Sequence, residues 1–258
     1  MKHALVTGGT SGIGNGVAHQ LAEQGWKVTL VGRNVKRGTS IADAIGGKFI
    51  GADLSLMSEV NRLSLLVEEP LDALILCAGG VSFHSKPILT TEGLETTFAS
   101  NYLSKFALSE WLHSRINPNG CIVMVGGNGK YSNAPSDWNT PHPSFKAAFK
   151  SALAVDSFAA RFAKLNKEIR VHTCYPGMVR TNLMHDAAAP IRLVTWLLSK
   201  PVEKGSSYIT RLVTEEHQEV HWKLDTPMNI YNPLSEEAVD SLWAYSKDTL
   251  NNIVPNND

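Results

Sequence analysis

The chain lacks most of what would mark a secreted, membrane-bound or nucleic-acid-binding protein. Cysteine is scarce: Cys77, Cys121 and Cys174 each sit in or beside an apolar, strand-like run and read as small core residues, not as disulfides or metal ligands. Neither charge is in excess, with 24 Lys and Arg against 24 Asp and Glu, so the basic footprint of a nucleic-acid partner is missing. No apolar run approaches a membrane span, so no integral membrane segment is expected. Met1 and Lys2 lead directly into apolar sequence with no leader pattern, and the expected location is cytoplasmic. Repeats, low-complexity tracts and linkers are absent as well. With 43% apolar residues over 258 positions, the chain reads as one α/β domain spanning 1–258.

What is present begins at once. His3 to Val6 is apolar and β-favouring, Thr7 to Gly14 is a glycine-rich turn, and Ile13, Val17 and Leu21 recur at helical spacing. A strand, a glycine turn and a helix N-terminus together form a pyrophosphate cradle, because free backbone N–H groups and the positive helix end meet at one point. Gly8 allows the turn, Gly12 lets backbone approach phosphate, and Gly14 lets helix pack on strand. A plain turn with no ligand is the bland alternative for this motif taken alone.

Strand-like and helical segments then alternate. Strands are expected at Lys27–Val31, Lys48–Gly51, Leu71–Cys77, Cys121–Val125 and Ile169–Cys174, with a short one near Met228–Tyr231. Helices are expected from Asn34 (as N-cap) to Ile45, from Ser55 (as cap) to about Glu69, and from about Glu92 to Ile116. Further helices are expected over Ser144–Leu165, Glu203–His217 and Ser235–Asn251. Helical crossovers between strands imply a parallel sheet, hence a Rossmann-like doubly wound fold with its ligand at the carboxyl ends of the strands.

Two positions bear on which nucleotide fits. The second strand ends Val31-Gly32-Arg33-Asn34, with no carboxylate for the adenosine ribose. Arg33 instead offers a guanidinium suited to a 2′-phosphate, which points to NADP(H). Asp53, followed by Leu54, ends the third strand and is placed to accept from an adenine amino group or to cap a helix. Ala78, Gly79 and Gly80 follow the fourth strand and leave room for a flat ring or ribose. Asn101, a poor helix former inside a helical run, marks a kink or is merely tolerated.

These residues resemble the short-chain dehydrogenase/reductase family over nearly the whole chain. Thr7-Gly8-x-x-x-Gly12-Ile13-Gly14 matches the family's cofactor motif, and Asp53, Cys77-Ala78-Gly79, Asn101 and Tyr175-Pro176-Gly177 follow in order. The ending, Leu242-Trp243-x-x-Ser246, is similar to the retinol-dehydrogenase-like branch. The resemblance implies a Rossmann fold and hydride transfer between a nicotinamide and a carbonyl or alcohol. It also implies a homodimer or homotetramer and cofactor contacts from Thr10, Ser11, Pro176, Gly177, Val179 and Thr181. In the family a tyrosine moves the proton, a lysine one helical turn later binds the nicotinamide ribose, a serine holds the substrate oxygen, and an asparagine supports a water.

The departure lies in that catalytic set. No tyrosine has a lysine four residues later. Lys150 matches the family's lysine and Asn101 its asparagine, but Lys146 stands at the tyrosine position and Gly126-Gly127 where Ser-Ser is usual. An alkoxide left by hydride addition needs a proton and donors, and glycine side chains supply neither. Lys146, one turn before Lys150, is a candidate acid or a solvent-facing lysine. Tyr131 or His142, in the polar loop 126–143, are further candidates, or simply face water. The insertion 182–200 carries Ile191-Arg192-Leu193-Val194-Thr195-Trp196-Leu197-Leu198 and is expected to wall a pocket for a small apolar organic substrate. A repurposed non-redox enzyme and a non-catalytic NADP(H)-binding protein remain the alternatives.

Overall fold

The computed structural model describes residues 1–81, 84–126, 135, 137–181, 197–230 and 233–254. Five short apolar runs form parallel strands: β1 (His3–Thr7), β2 (Lys27–Gly32), β3 (Lys48–Gly51), β4 (Leu71–Leu76) and β6 (Arg170–Tyr175). Between β4 and β6 in the chain lies β5 (Ile116–Val125), also parallel. A terminal hairpin, β7 (His221–Lys223) and β8 (Thr226–Pro227), completes an eight-stranded sheet in the order β3-β2-β1-β4-β5-β6-β7-β8. Within this sheet, among the described residues, the β7–β8 pairing alone is antiparallel. The order reverses direction between β1 and β4, which places a crevice at their carboxyl ends.

Side chains alternate across the sheet. Ala4, Val6, Leu30, Ile75 and Val123 face α1 (Gly12–Glu23), α2 (Val35–Ala44) and α7 (Val202–Thr214). Leu5, Val31, Leu74, Ile122 and Met124 face α3 (Met57–Leu66), α5 (Ser104–Leu112), α6 (Ser144–Leu165) and α8 (Glu236–Ile253). The first face closes tightly where α1 crosses α7, because Ser206 Oγ donates to Ile13 O at 3.1 Å over the bare backbone of Gly16. The second face is aromatic, with Tyr102, Phe106, Phe158 and Phe162 fully buried and the Tyr102 hydroxyl bonded to Ser246 Oγ at 2.8 Å.

Several expected boundaries shift, each for a local reason. Asn34 does cap α2, accepting from Arg37 N at 2.9 Å. Ser55 does not cap α3: it bonds Asp53, and the N-terminal Met57 and Ser58 N–H groups are taken by the Glu92 carboxylate at 2.6 and 3.0 Å. With Glu92 drawn away, the next helix starts later. Glu95 accepts from Thr97 N and Phe98 N, and a single turn α4 (Thr96–Phe98) opens into a π-helical turn (Ala99–Leu103) before α5, with a last 3₁₀ turn at His113–Arg115. The expected break at Pro118-Asn119-Gly120 falls inside β5, where the pairing jumps from Leu71–Ile116 to Ala73–Cys121 and Asn119 takes φ 65°. The strand expected near Met228 is the β7–β8 hairpin, earlier in the chain; Tyr231 lies outside the described residues. No helix among the described residues is long and apolar enough to cross a membrane.

Candidate active site

The crevice is built by glycines that nothing larger can replace. Gly8 takes φ +67°, and a Cβ there would stand 2.9 Å from Ala78 N. A Cβ on Gly14 would stand 2.5 Å from Gly8 O, so the first turn of α1 rests directly on the turn that precedes it. Gly12 takes φ +55° with the Thr181 methyl beside it, the added Cβ being 2.9 Å from Thr181 Cγ2. Thr7 ties the two sides of the crevice, its Oγ1 accepting from Ala78 N at 3.2 Å. Ser11 stands at the N-cap of α1 without a side-chain cap bond, and no acidic residue occupies the first turn. The positive helix end is therefore left for an anion.

On the β2–β3 side, Thr10 packs over Gly32, and Arg33 is exposed at the end of β2 with no salt bridge among the described residues. Asp53 spends one oxygen on Ser55 N and Oγ, at 3.0 and 2.8 Å. Leu54 is buried beneath it.

On the β4 side, the π-helical turn aims Asn101 at the backbone after the strand. Its Oδ1 accepts from Gly80 N at 2.9 Å and its Nδ2 donates to Gly80 O at 2.8 Å. Gly79 passes so close that a Cβ would meet Asn101 Oδ1 at 2.8 Å. The Pro176–Thr181 segment is held on two sides. Gly177 takes φ +74°, Val179 packs against Gly205 of α7, and Arg180 N and Met178 O pair with Lys200. The glycine turn, Ala78–Gly80, Asn101 and Thr181 are thus brought to one crevice.

Of the expected catalytic residues, Asn101 reaches this crevice, and Lys146 and Lys150 are placed differently. Lys146 is exposed in the first turn of α6. Tyr131 and Gly127 lie outside the described residues, as do positions 182–196 of the insertion. His142 is half-buried, and burial together with Lys146 and Lys150 holds its pKa below the ordinary value. Lys150 is buried, but its ammonium donates to Trp138 O at 2.6 Å and Thr140 O at 3.1 Å and lies 4.3 Å from the Phe98 ring centre. It borders a cavity of about 210 Å³ walled by Leu89, Leu94, Phe98, Trp138 and Tyr245. Burial pulls its pKa down to about 8 against the pull of Glu95 and Asp137. None of these bonds reaches the Gly80 turn. Gly126 faces Val155 and Asp156 at ordinary contact distances, so its lack of a side chain is not forced by packing.

Sequence reasoning missed Lys105. It is only 4% exposed, and its ammonium donates to Val125 O at the end of β5. Burial lowers its pKa to about 8, opposed by Cys77 and Asp156. The signal was a lysine four residues after Asn101, inside the apolar run Tyr102-Leu103-Ser104-Lys105-Phe106-Ala107-Leu108.

Comparison with known proteins places this geometry among relatives. The family model described as short chain dehydrogenase matches residues 2–191. Human retinol dehydrogenase 13 is 28% identical over 280 residues, covering 95% of this chain and 83% of the relative. An uncharacterized oxidoreductase of Saccharomyces cerevisiae is 26% identical over 230 residues, 82% of this chain and 73% of the relative. Among solved structures, a protein from Mycobacterium paratuberculosis superposes with a TM-score of 0.75 at 21% identity over 97% of this chain and 93% of its own. A short chain dehydrogenase from Burkholderia cenocepacia, in complex with NADP, superposes with a TM-score of 0.69 at 22% identity, over 87% of this chain and 96% of its own. At such identities the structural likeness speaks for the fold.

Proposed function

Because the chain belongs to the short-chain dehydrogenase family, we propose that it is an oxidoreductase in which bound NADP(H) exchanges a hydride with a small apolar carbonyl or alcohol, the proton coming from a group other than the family's tyrosine. The observation that carries this reading is the crevice itself: a Cβ on Gly8 or Gly14 would fill the space where the chain must lie bare, and the N-terminus of α1 is left without a side-chain cap. Backbone N–H groups of Ser11 to Gly14 hold the pyrophosphate. Arg33, exposed and free of salt bridges among the described residues, takes a 2′-phosphate in the absence of a competing carboxylate. Asp53 keeps one oxygen for the adenine amino group, and Asn101 fixes the Gly79–Gly80 backbone against which the nicotinamide half lies.

Reduction of a carbonyl leaves an alkoxide that must be protonated. Lys146 stands at the position of the missing tyrosine and donates that proton, with Tyr131 and His142 of the 126–143 loop as the other candidates. An apolar substrate fits the character of residues 191–198.

A second reading rests on the same departures. With no side chain at Gly126 and none of tyrosine type at position 146, the crevice would serve as a template for non-redox chemistry, or as an NADP(H) sensor. Turnover separates them. The pure protein with NADPH and a panel of apolar aldehydes and ketones should consume NADPH and form alcohol in equal amounts. NADPH that binds without being consumed by any of them would overturn the oxidoreductase reading.

A further inference from the structure

The ligand's path across the crevice follows from the sheet order. Its pyrophosphate sits at α1, over β1, and its adenosine half runs toward β2 and β3, where Arg33 and Asp53 stand. The other half must therefore pass over the ends of β4 and β5. The ammonium of Lys150 is bonded to the 138–140 backbone, whereas that of Lys105 is bonded to Val125 O, at the end of β5.

Lys105 reaches the strand ends by a simple route. Helix α5 lies in the crossover between parallel β4 and β5 and so runs antiparallel to them. Helical side chains lean toward their helix N-terminus, here toward the carboxyl ends of the strands. Lys105 is buried, and its ammonium donates to Val125 O within electrostatic reach of Cys77, just past β4, and Asp156 of α6. Asn101, one turn earlier on the same helical stretch, holds Gly80.

An ammonium has three donors. One goes to Val125 O, and among the described residues the other two have no hydrogen-bond acceptor. Leaving charged donors unmatched at a buried site is costly, so the site calls for a ligand with two adjacent acceptor oxygens. A carboxylate or phosphate is not required, because Asp156 already favours the charged ammonium. A neutral vicinal diol fits both the donor count and the charge.

We propose that Lys105, from α5, binds the vicinal hydroxyls of the nicotinamide ribose, the task that the family resemblance would give to Lys150. The assignment rests on the NADP(H) reading, and its test separates the two. Adenosine 2′,5′-bisphosphate carries the adenine, its ribose and the 2′-phosphate but no nicotinamide ribose, and it serves as the truncated probe. Lys105→Met should raise the Kd for NADPH about tenfold or more and leave that for the bisphosphate unchanged, by titration calorimetry on the pure protein. Equal weakening of both probes would mean a merely structural role and overturn the assignment. No change in either would overturn it as well, and so would finding the selective loss of NADPH affinity in Lys150→Met instead. A wild-type protein that binds neither probe overturns this assignment together with the cofactor reading.

Should Lys105→Met fail to fold, the wild-type protein carries the same test. Of the titratable groups that act on the ammonium among the described residues, Asp156 is an acid and burial pushes the Cys77 thiol up to about 12, so the lysine is the one expected to titrate near pH 8. Because Lys150 is also lowered to about 8, the curve is measured beside Lys150→Met: NADPH affinity should fall as pH rises through that point in both proteins while bisphosphate affinity stays level, and parallel curves, or a fall that disappears in Lys150→Met, would overturn the assignment.

Discussion

The side-chain amide of Asn101 closes a ring on the Gly80 peptide, Oδ1 accepting from its N–H at 2.9 Å and Nδ2 donating to its C=O at 2.8 Å. The π-helical turn over Ala99–Leu103 makes this possible by rotating Asn101 out of the helical register toward β4. Asn101→Ala removes both bonds and should cost about 1–3 kcal/mol in urea unfolding. It should also weaken NADPH binding several-fold, because the β4 turn loses its fixed shape. An Asn101→Ala protein with unchanged affinity would detach this clasp from cofactor binding.

Gly8→Ala tests the crevice from the other wall. The new Cβ would meet backbone, Ala78 N at 2.9 Å, and the residue would have to hold φ +67°. Neither can relax without moving β1 from β4. Loss of NADPH binding with a stability cost of about 1–3 kcal/mol is expected from calorimetry and thermal melts. Retention of wild-type affinity would mean that the ligand does not lie on this turn.

Lys146→Ala addresses the proton. Lys146 is exposed, so stability should change by no more than about 0.5 kcal/mol and nucleotide affinity should hold. Turnover with any active carbonyl should fall by about 10²-fold, the usual scale for losing a positioned acid. Unchanged kcat would transfer the role to another group, with Tyr131→Phe the next variant to measure.

Acid stability should report His172, far from the crevice. It is 1% exposed, donates from Nδ1 to Glu219 O at 2.8 Å, and leaves Nε2 with no partner among the described residues. Burial lowers its pKa to about 4 from an ordinary 6.5. A folded-state pKa below the unfolded one means that the unfolded chain binds more protons between those values. Stability is then fully present above pH 6.5 and is lost as pH falls toward 4, by on the order of 3 kcal/mol. His221, also lowered to about 4 by burial, adds to the same window. His172→Gln should lose less between pH 7 and pH 4.5 than wild type in urea midpoints; an equal loss would place the titration elsewhere.

The fold was largely legible because its signals are local. The β1–turn–α1 unit, the Asn34 cap and the full span of α6 each follow from patterns within a few residues. What was not legible depends on distant partners. Glu92 caps α3 from 35 positions away, which no spacing rule contains, and in doing so it moves the start of the following helix to Thr96. In the site, the bare glycine turn was legible from its spacing, whereas Asn101 stood open between a kink and mere tolerance until the π-helical turn and the Gly80 backbone gave it a direction. Lys150 matched a motif, but its ammonium direction depends on the backbone of Trp138 and Thr140, and motif matching carries no direction. Lys105 lacked a motif; its burial arises only when α5 packs on the ends of β4 and β5.

The most direct test of the whole account is a fluorescence-quenching titration of the pure protein with NADPH and with NADH, beside Arg33→Ala. The account predicts tighter binding of NADPH than of NADH, and in Arg33→Ala a loss of about tenfold or more for NADPH with NADH unchanged, the size of one charge-assisted phosphate contact. Failure of the wild-type protein to bind either nucleotide would contradict it.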